Sequence, residues 1–308
     1  LKLAATAIVC AAPFAHVPAY AGAVAMADMN ISALGLFDVN NRPANPGITI
    51  RTESRTGTAA ANYNGVAATG VGAPSISSFV IGATVDVANR CAGDCDAGTA
   101  ALYGGSLENN ITTHLTPPPS ANFALGDMLI QGNALGGSIT GLTRANASAT
   151  GPTNSGGANA TILNTASVLA DFTVGTTFTG SVGINVDAYI RTWVDLMAPA
   201  TEQSTAAAGY SWTLSITSSA PGFTTLFFTP EELNKTFLST TAGGVNELFT
   251  YSGLLLSDTR TFLGGQTYSL SINQSSNALV SSVPEPASLA LVGLALAGVA
   301  VTARRRKI

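Results

Sequence analysis

Between residues 181 and 196 the chain alternates in character. Val182, Ile184, Val186, Ala188, Ile190, Val194 and Leu196 take one phase, and Ser181, Gly183, Asn185, Asp187, Tyr189, Arg191, Trp193 and Asp195 the other. A period of two over that length predicts a strand, Ser181–Leu196, with one buried face. Tyr210–Thr217 repeats the pattern, with Trp212, Leu214 and Ile216 inward and Ser211, Thr213, Ser215 and Thr217 outward. In Gly264–Ile272 a glycine turn leads into a strand that points Tyr268, Leu270 and Ile272 inward, and Phe249–Leu256 is its expected preceding neighbour. Ile76–Val87 and Ile162–Val174 read as strands of β-branched residues, and Ile31–Val39, Phe123–Ile130 and Ser138–Ala147 as weaker ones.

Punctuation between these runs is clear. Thr116–Ser120, with three consecutive prolines, and Gly151–Gly157 cannot be strand interiors and are loops. Residues 40–75, rich in Asn, Gly, Ala and Thr, read as long loops or ragged edge strands. One short helix is expected over Pro230–Leu238, with Thr229 as N-cap, Pro230 at its first position and Glu231 and Glu232 at its positive end. Many short strands, frequent turns and one helical insert predict an all-β fold. The architecture expected is an antiparallel β-sandwich, with jelly-roll pairing as one arrangement of it. The body reads as residues 22–281, and two smaller sheets meeting near Gly151–Gly157 are the alternative to a single sandwich.

Both chain ends differ from this body. Lys2 precedes the apolar run Leu3–Ala12, and Ala19-Tyr20-Ala21 supplies an A-x-A cleavage site before Gly22, so residues 1–21 read as a signal peptide for Sec-type export. Cys10 does not make a lipobox, because Val9 stands where a small residue is needed. At the other end, Val283-Pro284-Glu285-Pro286 leads into an uncharged apolar run, Ala287–Ala303, and then Arg304, Arg305, Arg306 and Lys307. Seventeen helical residues span about 25 Å, near the lower limit for a hydrocarbon core. The cationic cluster stops translocation and leaves the body outside the cytoplasm.

This arrangement resembles the PEP-CTERM sorting signal of Gram-negative bacteria, matched by Pro284, Glu285 and Pro286, the apolar helix and the Arg304–Lys307 cluster, and residues 282–308 are assigned to it. The resemblance implies an exosortase that recognises and cleaves near the Pro-Glu-Pro element, transient anchoring in the inner membrane, and release to the cell surface or extracellular matrix. It also implies an association with exopolysaccharide production. A plain C-terminal anchor is the alternative.

Without the two targeting segments, 8 of the 13 basic and 16 of the 17 acidic residues remain, so the body carries a net charge near −8. No basic patch is present, which excludes nucleic acid as a partner. The body's two cysteines, Cys91 and Cys95, enclose Ala92-Gly93-Asp94, and in an oxidising exterior a disulfide is the expected state. Zinc would need further soft ligands, and the body has one histidine, His114, beside the proline loop, where it reads as a solvated loop residue. Asp86, Asp94 and Asp96 are the weak case for calcium, and no cofactor or metal is assigned.

Catalytic signatures are missing: there is no G-x-S-x-G elbow, and the helix start accounts for Glu231 and Glu232. Asn-x-Ser/Thr sequons are as frequent as composition alone would produce. On the outward phase of the long strand, Tyr189 and Trp193 flank Arg191, with Asp187 and Asp195 beyond them. Rings between hydrogen-bonding groups suit sugar faces and hydroxyls, although packing beneath a loop or the helix is the plainer explanation of the rings. The sequence therefore predicts a non-enzymatic, exported surface or matrix protein. A carbohydrate-binding module acting through Tyr189, Arg191 and Trp193 is the second reading, and a secreted glycan-active enzyme with dispersed carboxylates the third.

Overall fold

A computed structural model of the chain describes residues 22–68, 73–95, 108–109, 114, 116–117, 121–149, 158–196, 202–242 and 246–284. Its strands are β1 (Ala23–Asp38), β2 (Pro43–Ala44), β3 (Thr49–Tyr63), β4 (Val66–Ala67), β5 (Ser75–Ser78), β6 (Val85–Gly93), β7 (Phe123–Gln131), β8 (Thr140–Ala149), β9 (Ala158–Thr173) and β10 (Phe178–Val194). They continue as β11 (Glu202–Thr217), β12 (Leu226–Phe228), β13 (Lys235–Thr240), β14 (Glu247–Leu256), β15 (Arg260–Phe262) and β16 (Thr267–Pro284). Two antiparallel sheets result. The first has the order β14-β10-β1-β8-β7-β6, with β15 on β10 and β2 on β1; the second has β12-β11-β16-β9-β3-β4, with β13 on β11 and β5 on β3.

The sheets face each other across one continuous core. The long alternation in β10 does what its period predicts, burying Val182, Ile184, Val186, Ala188, Ile190 and Val194. Leu196 lies past the end of the strand and is exposed, contrary to its expected inward place. Trp212, Leu214 and Ile216 on β11 and Tyr268, Leu270 and Ile272 on β16 are buried, as their phase requires.

The core is graded along the strands. Near the start of β1 and the end of β16 small residues predominate, among them Ala23, Ala25, Ala145, Ala147, Ala206 and Ala278, beside Ile190, Val194 and Val280. At the opposite end Phe172, Phe262, Tyr268, Phe223 and Phe178 form an aromatic cluster, with ring centroids 5.0–6.5 Å apart. Polar pins cross the core and fix how the sheets align. Gln274 Nε2 of β16 donates to the carbonyls of Met29 (3.1 Å) and Gly141 (3.2 Å) and to Thr143 Oγ1 (3.0 Å). Thr143 pairs with Ser276 (2.8 Å) and Thr192 with Ser239 (2.7 Å).

Four sequence expectations are corrected. Residues 40–75 contain a full 15-residue strand, β3, hydrogen-bonded along β9. Its buried phase is Glu53, Arg55, Gly57, Ala59 and Ala61, which offers no large apolar signal. A Cβ on Gly57 would overlap the Met128 thioether of β7, which would have to shift to admit it. Ile76–Val87 is broken into β5 and β6 by a turn that exposes Phe79 and Val80. Phe249–Leu256 belongs to β14, which pairs with β10 in the sheet opposite β16.

The expected helix Pro230–Leu238 is a single 3-10 turn, Glu231–Leu233, followed by β13 on the edge of β11. Thr229 does not cap it; Pro230 holds the cap position, without a side-chain hydrogen bond. Asn234 explains the early stop. Its amide accepts from Trp212 N (3.3 Å) and donates to Trp212 O (3.0 Å), copying a backbone pair and bringing the chain onto the sheet. Among the described residues no helix is long and apolar enough to cross a membrane. The expected signal peptide (1–21) and membrane helix (287–303) lie outside them.

Candidate functional site

The outward face of the first sheet carries a set of buried polar and charged side chains, among them Asp28, Asp127, Arg144 and Asn146. Alternation places Val24, Met26, Asp28 and Asn30 of β1 on this face, while Ala23, Ala25, Ala27 and Met29 enter the core. Register then aligns three rows across the sheet. Trp193, Val24, Ser148 and Phe123 form the first; Arg191, Met26, Asn146 and Leu125 the second; Tyr189, Asp28, Arg144 and Asp127 the third.

Although outward, much of this face is buried. Val24, Met26, Phe123 and Leu125 form a second apolar cluster, with Tyr189, Trp193 and Cys91 packed at its margin. Cys91 and Cys95 are joined in a disulfide, with Cα atoms 5.8 Å apart, which closes the end of β6 beside this cluster. The candidate ring pair Tyr189 and Trp193 is thus half-buried and serves packing as well as any ligand. Arg191 lies between them, also half-buried.

His114 is not a solvated loop residue. Its imidazole stacks on Tyr189 with centroids 3.6 Å apart and planes 8° from parallel, and its Nδ1 lies 3.1 Å from Asp28 Oδ2. Asp28 is 1% exposed, so a buried carboxylate holds the ring in place. With its amide turned to satisfy both neighbours, Asn146 donates to Asp28 Oδ1 (3.0 Å) and accepts from Arg144 Nε (2.7 Å). Beside this dyad opens a cleft of about 320 Å³, lined by Asp28, Asn30, His114, Asp187, Tyr189, Thr250, Tyr251 and Ser252. Ser252 Oγ donates to Asp187 Oδ1 (2.6 Å). Two tyrosines, an imidazole and two carboxylates thus share one wall-and-floor arrangement, suited to stacking on a ring and bonding its hydroxyls.

Next to the cleft, Asp86, Glu108 and Asp127 bring carboxylate oxygens within 4.8 Å of one another. Backbone and amide donors partly compensate them. Asn109 N donates to Asp127 Oδ2 (2.6 Å), Asn109 Nδ2 to Asp86 Oδ2 (3.2 Å) and Asn89 N to Glu108 Oε2 (3.0 Å). Burial, reinforced by the Glu108 and Asp86 charges and opposed by the Asn109 N–H and the Arg144 guanidinium, pushes the Asp127 carboxyl up to about 7. Burial raises Glu108 as well, with the Asp86 charge adding to it and the Asn89 N–H opposing it. Such a trio can share a proton or accept a hard cation. Of the sequence's weak calcium set, Asp86 takes part; Asp94 instead accepts from Asn122 N (2.8 Å), and Asp96 lies outside the described residues.

The sequence singles out Tyr189, Arg191 and Trp193 as candidates but not His114, Asp28, Arg144 and Asp127. The last three stand at single outward positions on three strands, and only the register β1-β8-β7 makes them neighbours. The other sheet's outward face is different, a field of hydroxyls with pairs such as Thr58–Thr165 (2.7 Å) and Ser211–Ser275 (2.8 Å).

The first half of the processing element is paired in the sheet. Val283 and Pro284 are the last residues of β16, opposite Gln203 and Glu202 of β11. Glu285, Pro286 and the cluster Arg304, Arg305, Arg306 and Lys307 lie outside the described residues. Residues 282–307 match the family model of the PEP-CTERM protein-sorting motif. No curated protein and no solved structure matches the chain. The chain therefore carries a PEP-CTERM sorting motif, which marks an exported protein sorted to the cell envelope or surface with exosortase as its processing partner.

Proposed function

We propose that this protein is a non-enzymatic component of the cell surface or extracellular matrix, held briefly in the inner membrane by its C-terminal helix and released when exosortase cuts near Pro284-Glu285-Pro286. The sorting motif at residues 282–307 carries the reading. An acidic body in which the buried charges Arg55 and Glu53 pair internally at 2.7 Å supports a structural role. Association with exopolysaccharide or biofilm belongs to the same proposal. Mass spectrometry of material secreted by an exosortase-containing host is expected to find a C-terminus lacking Ala287–Ile308. An intact tail would overturn the reading.

A second reading, a carbohydrate-binding module, is favoured by the cleft beside Tyr189, where rings adjoin Asp28, Asp187 and Ser252. Trp193 packs away from the cleft against the Val24 cluster, so the contact shifts from the Tyr189/Trp193 pair towards Tyr189 and His114. On a glycan array, Tyr189→Ala is expected to lose at least tenfold in binding with the fold retained by circular dichroism. Absence of binding by the unaltered protein to any glycan would remove this reading. Turnover of a polysaccharide panel would favour a glycan-active enzyme instead.

A further inference from the structure

We infer that, until it is processed, the body is seated end-on against the bilayer, with the alanine-cored end of the two sheets facing the lipid headgroups. The inference rests on the proposed membrane span over 287–303 and adds the face that meets the membrane. Its first support is the absence of a linker. β16 remains paired with β11 as far as Pro284, and the apolar run begins at Ala287. The three peptide spans between them reach about 11 Å at full extension. A tethered body of this kind cannot rise farther from the membrane surface than that.

The second support is where the other strand ends fall. Ala23, at the start of β1, is opposite Val194 at the end of β10 and Ala149 at the end of β8. Thr143 bonds Ser276, and Thr192 bonds Ser239, whose neighbour across the ladder is Ala206, itself opposite Val280. These cross-core links put the start of β1 and the ends of β8 and β10 level with the end of β16. Gly22 O, which accepts from Asp195 N at 2.9 Å, sits at the same end. The chain therefore leaves the export machinery and remains tethered to the membrane from one end of the molecule. The other end is about 60 Å away, given the 18 residues of β16 at about 3.3 Å each.

Electrostatics make this contact dependent on the tether. Asp94 and Asp195 lie at the membrane-facing end, and Glu247 opens β14 there. Within about 8 Å, a Debye length in physiological salt, they are repelled by anionic headgroups. Cleavage removes the tether that opposes this repulsion, so the cut body moves away from the membrane.

The test uses the chain from Gly22 to Ile308, freed of the expected signal peptide, in vesicles containing anionic lipid and a headgroup nitroxide quencher. Its two cysteines, Cys91 and Cys95, remain in their disulfide, so a fluorophore goes only to an introduced thiol. Leu196→Cys (47% exposed) labels the membrane-facing end and Val39→Cys (68% exposed) the opposite end. The label at position 196 is expected to be quenched at least threefold more than that at 39, and twenty Gly/Ser residues inserted after Pro284 should abolish the difference. A chain that floats with the vesicles but shows equal quenching overturns the end-on seating alone. Failure to float overturns the membrane-span reading and the seating with it.

Discussion

Asp127 is a buried carboxyl set among other carboxylates. Folded, it keeps its proton to about pH 7; unfolded, it gives the proton up near 3.8. The folded state therefore binds the extra proton between those values, and its stability falls as pH rises through that window, by up to about 4 kcal/mol, with no further loss from this group above it. Asp127→Asn keeps the shape and removes the charge. In chelator-containing buffer, thermal unfolding from pH 4 to 8 should show the unaltered protein losing stability relative to this variant, which should be the more stable of the two at pH 8. Parallel curves would show that the trio Asp86, Glu108 and Asp127 does not store a proton.

Among the elements, β3 shows what sequence patterning cannot reveal. β10 and β11 were legible because β-branched and aromatic residues occupy their buried phase. In β3 the same phase holds a salt bridge, a glycine and two alanines, and the structure supplies the partners from elsewhere. Arg55 donates to Glu53 (2.7 Å), to Ala83 O (2.5 Å) and to Gly132 O, and Glu53 Oε2 accepts from Gly82 N (2.6 Å). The pair thus fastens β3 to the turn before β6 and to the end of β7. Arg55→Ala leaves a buried carboxylate without its cation and should cost about 3–5 kcal/mol in denaturant unfolding, much of it restored by Arg55→Met with Glu53→Gln. A cost below about 1 kcal/mol would mean that the fastening is not energetic. The 230–238 region failed for the opposite reason. Its proline and two glutamates are genuine helix-start signals, but β11 offers an open edge that Asn234 and β13 take. His114 had no signal at all, since Asp28 and Tyr189 are distant in sequence and meet it only through the fold.

At the scale of the molecule, two antiparallel sheets, one shared core and a sorting motif continuous with the last residues of β16 make a single mechanical object. Because its core tapers from aromatic rings to alanines, the free energy holding the layers together is unevenly distributed. Each buried methylene contributes about 0.8 kcal/mol, so a cross-section through Phe172, Phe262 and Tyr268 is held several kcal/mol more firmly than one through Ala206 and Ala278. Local opening follows the weaker section. Amide hydrogen exchange should be at least tenfold faster at Ala206, Ala208 and Ala278 than at Leu214, Leu270 and Ile272; uniform protection along these strands would contradict the gradient. The molecule then behaves like a zip fixed at one end, and the end free to breathe is the one that delivers Val283 and Pro284 to a protease in extended form.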